Sequence, residues 1–159
     1  MKKQAVLLFS VLLVVFGFKL NAQQVTDAQI VKIIHTRLPN INLQNKIIAL
    51  HVWSSSNKES RETNKEFDKV YKAYEFAKLK NGTQGLVFIS VNLDDNTVGS
   101  ITAGKDGISK AVIVNKSEYA FLSNLTSGYN VVYDNTGAKV YENLESNKVF
   151  SSFNSLITR

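Results

Sequence analysis

Residues 46–61 read Lys46-Ile47-Ile48-Ala49-Leu50-His51-Val52-Trp53-Ser54-Ser55-Ser56-Asn57-Lys58-Glu59-Ser60-Arg61. The first eight form a short β-branched and apolar run, the signature of a strand buried on both faces. Three serines end it. From Glu59 to about Leu79 the apolar period becomes helical, with Phe67, Val70, Tyr71, Tyr74 and Ala77 on one stripe, and Asn81-Gly82 supplies the stop. A second buried strand, Leu86 to Leu93, follows, with the polar Asp94-Asp95-Asn96 at its C-terminal end.

Outward from this unit the pattern continues. On the N-terminal side Thr26-Asp27-Ala28-Gln29 reads as a capping box, and Ile30, Ile33, Ile34 and Leu38 keep helical spacing until Pro39. On the C-terminal side the sequence predicts a helical turn over Val98–Ala103, a short strand over Ala111–Val114 and a helix over Glu118–Leu125. Asn130–Tyr133 and Ala138–Glu142 flank Asp134-Asn135-Thr136-Gly137, a hairpin turn with glycine at a positive-φ position. Val149, Phe150, Phe153, Leu156 and Ile157 place an apolar face on a last helix. The order β-α-β-α-β-β-α implies an α/β fold, a mixed central sheet with helices on both faces.

The chain has 159 residues, 44% apolar and 20% charged, which suits one ordinary globular domain. Its beginning has the parts of a secretory signal: Met1-Lys2-Lys3, an apolar run from Ala5 to Phe18, and a small residue at Ala22. The run is short for a membrane span, which needs about 20 residues. The expectation is a signal peptide over 1–22, cleaved after Ala22, then one domain over 23–159 with no membrane insertion, in the periplasm or secreted. With no cysteine after the run a lipid anchor is excluded, and with none anywhere so is thiol–disulfide chemistry. Loss of Lys2, Lys3 and Lys19 reduces the formal charge from +6 to +3, and no basic block is dense enough to follow a nucleic-acid backbone.

Three segments, in order, resemble the TlpA-like periplasmic thioredoxins. Asn42–Trp53 is similar to the family's strand leading to the active site, and Ser54–Arg61 falls where that family has A-[ST]-W-C-x-x-C-[KR]. Ile89-Ser90-Val91-Asn92-Leu93-Asp94 resembles its second strand, and Val131–Val140 its D-x-x-G hairpin. The resemblance implies a thioredoxin-like fold and places Asn57 and Ser60 at the two redox-cysteine positions. The family's cis-proline falls at Gly128 or Tyr129, and this chain's only proline is Pro39.

Asn57 suits a helix N-cap, which would keep the helix start while discarding the chemistry. The resemblance implies a redox-inactive module, not an enzyme, that binds an envelope or secreted protein. Its expected site joins Trp53, Ser56, Asn57, Ser60, Gly128 and Tyr129, with Trp53 beneath and Tyr129 offering its ring and hydroxyl. No cofactor and no metal are expected. The alternative is a non-thiol enzyme using the polar loop, which would need a base such as His51 or His35 beside Ser54, Ser55 or Ser56. Asp94, Asp95 and Asp106 lack the spacing of a calcium loop.

Overall fold

The central strands β1 (Ile47–Trp53) and β2 (Leu86–Asn92) pair in parallel, and every β2 side chain is buried. The structure, a computed structural model, describes residues 27–37, 39, 46–77, 85–94, 97–108 and 112–157. The expected signal segment, Thr26 of the capping box, Leu38, the Asn81-Gly82 stop, Asp95 and Ala111 lie outside these residues. The remaining elements are α1 (Asp27–Arg37), α2 (Lys58–Tyr74), α3 (Val98–Lys105), β3 (Val112–Asn115), β4 (Asn130–Tyr133), β5 (Lys139–Glu142) and α4 (Ser146–Leu156).

The sheet order is β3-β2-β1-β4-β5, parallel on the β3 side of β1 and antiparallel on the other. Strand alternation divides the apolar residues between two cores. Leu50, Val52, Val87, Ile89, Val131 and Tyr133 face Ile33 of α1 and Leu122. Ile47, Ala49, Leu86, Phe88 and Val132 face Phe67 and Val70 of α2 and Val149 and Phe153 of α4. The mixed sheet expected from the element order is therefore present.

Two expectations change. The helix after the serine loop ends at Tyr74 rather than near Leu79, with Phe76 turned into solvent. Glu118–Leu125 is not an α-helix. Short 3-10 turns run over Lys116–Glu118 and Ala120–Asn124, separated by extended Tyr119. The reason is packing: Tyr119 and Phe121 both lie against the first core. Residues two apart point to nearly opposite sides of an α-helix, so the backbone extends at Tyr119 to bring both inward. The Asp134–Gly137 turn is as expected, with Gly137 at φ 85° and Asp134 Oδ1 accepting from Thr136 N at 2.8 Å.

Phe67 is the keystone of the second core. Its ring stacks on His51 (5.5 Å) and Phe88 (5.3 Å) and meets Phe153 edge-on (5.8 Å). Phe67→Ala is expected to lower stability by about 3–5 kcal/mol, read from urea midpoints. Phe76→Ala, on the surface, should change it by no more than about 0.5 kcal/mol.

Candidate functional site

Toward the C-terminal ends of β1 and β2 the face under α2 changes character. Ile47, Ala49, Leu86 and Phe88 are succeeded on that face by His51, Ser90 and Asn92, all buried, with Asn130 paired to His51 across the β1–β4 ladder. Buried polar groups must find partners. His51 Nε2 lies 2.8 Å from the carbonyl oxygen of Ser60. Trp53 Nε1 donates to Ser90 Oγ (2.7 Å), and Ser90 Oγ donates to Asn64 Oδ1 (2.9 Å).

This polar layer supports the start of α2. Asn57 is its N-cap, extended at φ −96° and ψ 103°, and its Oδ1 accepts from Ser60 N at 3.0 Å. The Ser60 hydroxyl donates to the Asn57 carbonyl (3.0 Å) and accepts from Ser54 N (3.3 Å) and from Ser127 Oγ (2.8 Å). Its proton and both acceptor sites are thus in use. Behind the loop, Asp94 accepts from the backbone and hydroxyl of Ser55 and from Asn92 Nδ2. Burial works against the Asp94 carboxylate, but these donors outweigh it and hold its pKa below the usual range.

A cleft of about 250 Å³ opens beside the helix start. Its walls are Asn57, Glu59, Ser60 and Thr63 of the α2 start, Ser127-Gly128 before β4, and Asn143-Leu144-Glu145 before α4. Gly128 sits at φ 103°, a conformation that favours glycine, and donates to Val52 O at 2.8 Å. Asn130 fastens the far wall. Its Nδ2 donates to Leu144 O (3.0 Å), and its Oδ1 accepts from Leu144 N (2.8 Å).

No family model matches the chain, and no curated protein does. Solved structures do. The thioredoxin domain of a thiol–disulfide oxidoreductase from Bacteroides vulgatus aligns over 71% of this chain and 80% of its own, with TM-score 0.56 and 14% identity. A secreted disulfide oxidoreductase from Mycobacterium tuberculosis aligns over 72% and 84%, with TM-score 0.57 and 12% identity. A thiol:disulfide interchange protein from Bacteroides sp. aligns over 71% and 74%, with TM-score 0.53 and 15% identity. The fold is thioredoxin-like.

On that fold the neighbours named here are thiol–disulfide proteins, and this chain carries no cysteine. The thioredoxin-like scaffold brings Asn57, Ser60 and Gly128 together around the cleft. Three other expected site residues lie elsewhere. Trp53 is fully buried, and packs with Ala103 and Ile108. Ser56 is exposed on the loop, with its hydroxyl 3.3 Å from Ser54 Oγ. Tyr129 belongs to the opposite face, because strand alternation puts it with Val131 and Tyr133. Its hydroxyl donates to Glu142 (3.2 Å), and its pKa is pushed up to about 12 by burial first and by Glu142 second. Tyr129 therefore does not offer its ring to the cleft.

The non-thiol groups are also committed. His51 points its Nε2 at a carbonyl, which only accepts, so the neutral ring carries its proton there. Asp106 is held by Arg61 through contacts of 2.9 and 2.6 Å, and this guanidinium keeps the carboxyl below its usual range. The sequence reading missed Thr63, Asn130 and the 143–145 wall. Asn130 had one legible signal, a polar residue heading an otherwise apolar strand.

His51 gives the site a pH dependence. Burial lowers its pKa from 6.5 to about 4, with the carbonyls of Ser60 and Tyr129 opposing in part. Its Nδ1 makes no hydrogen bond of good geometry. The unfolded chain binds this proton more tightly, so stability is unaffected above about pH 6.5 and falls as pH drops toward 4, by about 3 kcal/mol in all. Thermal melts from pH 7.5 to 4.5 should show a smaller loss in His51→Gln, whose amide still donates to Ser60 but does not charge.

Proposed function

We propose that this chain is an exported, redox-inactive thioredoxin-like domain that binds an extended segment of another envelope or secreted protein in the cleft beside the start of α2. The observation that carries the reading is how the two reactive positions are filled. Asn57 is a helix cap, and the Ser60 hydroxyl has its proton and both acceptor sites in use. Neither position can carry electrons. The cleft beside them is nevertheless open, lined by the start of α2, Ser127-Gly128 and residues 143–145. A thioredoxin-like domain that has exchanged its thiols for structural groups and kept a cleft is left with recognition.

The size of the cleft supports a protein segment as the guest. At about 250 Å³ and open on one side, it has room for a side chain of an incoming segment. No cofactor or metal enters this reading, since Asp94 and Asp106 are already engaged by Ser55, Asn92 and Arg61.

Photo-crosslinking tests the binding. A photoreactive residue in place of Lys58, exposed between the cleft-lining Asn57 and Glu59, should capture one discrete envelope or secreted protein. The same group in place of Phe76, just past the far end of α2 and roughly 25 Å away, should not. Equal capture from both positions, or none from 58, would count against the reading. In an insulin-reduction assay with dithiothreitol, the protein should leave the uncatalysed rate unchanged.

Export rests on the first residues. Met1-Lys2-Lys3, the apolar run Ala5–Phe18 and Ala22 support a cleaved signal peptide. Among the described residues no helix is long and apolar enough to cross a membrane. Intact-mass measurement of the protein from envelope or medium should give a chain beginning at Gln23. A mass that includes residues 1–22 would make the run an anchor.

A further inference from the structure

The buried stripe of α2 changes along its length. Its first members are polar, Ser60, Thr63 and Asn64, and the apolar Phe67 and Val70 follow. Phe67 and Val70 belong to the second core, so the later turns are held by apolar packing. Hydrogen bonds hold the first turn instead. The Ser60 hydroxyl joins Ser54, Ser127 and Asn57, and the Ser60 carbonyl lies 2.8 Å from His51 Nε2. A segment attached in this way opens at lower cost than the packed core beside it. Through Asn57, Glu59, Ser60 and Thr63 the same segment forms one wall of the cleft.

His51 is the member of that attachment that can change its state. The ring is fully buried, stacked on Phe67 at 5.5 Å and bonded to the first turn through Ser60. Its Nδ1 makes no hydrogen bond of good geometry. The Tyr129 carbonyl, which also acts on the ring, already accepts from Val52 N at 2.8 Å. A proton added at Nδ1 is therefore buried without a well-placed acceptor. The side chains around the ring are Phe67 of α2, Ser90 of β2 and Asn130 of β4, none of them charged. No charged group contributes to its lowered pKa, Glu59, Arg61 and Asp68 of α2 and Glu145 and Lys148 at the start of α4 included.

Resting on the binding role proposed above, we infer that His51 is an acid-sensitive latch on the cleft. The neutral ring holds the first turn of α2 closed, and a second proton releases that wall. Opening lets water reach the ring and returns it to its ordinary basicity. The open form then binds the proton more tightly than the closed one, so acid favours opening. With a pKa of 6.5 when open and about 4 when closed, the open fraction rises about twentyfold between pH 7 and pH 5. The other histidine, His35, is exposed on α1, and ordinary carboxylates titrate mainly below this window.

Amide hydrogen exchange of the free 15N-labelled protein reads the wall directly and needs no variant. Corrected for intrinsic rates, the protection of amides 60–64 should fall about twentyfold from pH 7 to pH 5. The amides of β2 should stay better protected than these at both values. In His51→Gln the fall over 60–64 should shrink to less than about twofold. Protection of 60–64 that does not change with pH overturns the inference, because the wall then opens without exposing His51. Protection equal to that of β2 also overturns it, because the wall then opens only when the whole domain unfolds. An undiminished fall in His51→Gln overturns it in favour of another titrating group. Crosslinking from position 58 decides the binding role separately, since the exchange measurement needs no guest.

Discussion

Ser60 ties together the parts of the molecule that matter for its site. Its backbone N–H is capped by Asn57, its carbonyl accepts a hydrogen bond from His51 Nε2, and its hydroxyl joins Asn57, Ser54 and Ser127. The exit of β1, the first turn of α2 and the loop before β4 all meet at this residue, which is itself buried. A thiol at the same place would make weaker hydrogen bonds, and would leave that junction open to oxidation. With a hydroxyl, the junction is a closed hydrogen-bonded knot.

The knot sits on a buried polar layer, and that layer is stable because nearly every member has a partner. Trp53, Ser90 and Asn64 form one chain of hydrogen bonds, and Asn130 with Leu144 forms another. His51 is the incomplete member, satisfied at Nε2 and not at Nδ1. Burying an unsatisfied nitrogen costs about 1–3 kcal/mol. Stacking on Phe67 recovers part of that and orients the ring, while burial keeps it neutral. His51 adds a loss of stability between about pH 6.5 and 4 because burial disfavours its charged form, and the depressed carboxyls of Asp94 and Asp106 add theirs at lower pH.

Much of this was legible in particular residues. The run Lys46–Trp53, the helical stripe through Phe67 and Val70, and the Asp134–Gly137 turn each carry a local signal, and each forms the element its pattern indicates. The Asn57 cap was legible too, because capping depends on a residue and the three that follow it. Glu118–Leu125 misled, because its composition suits a helix while the two aromatics have to reach the same core.

The sequence by itself determined the order of elements, the absence of thiols and the cap at Asn57, since each depends on residues adjacent in the chain. The tertiary structure decided the cleft. Whether Tyr129 faces the cleft or the opposite side of the sheet depends on the pairing register of β4 with β1. A shift of one residue would reverse it. The 143–145 wall is brought to Asn57 and Thr63 by the packing of α4 on α2 and by the Asn130 tie to Leu144, across a separation of some eighty residues. Glu59 and Glu145 come to line one cleft for the same reason: that juxtaposition is a property of the packed sheet and helices, and no local pattern encodes it.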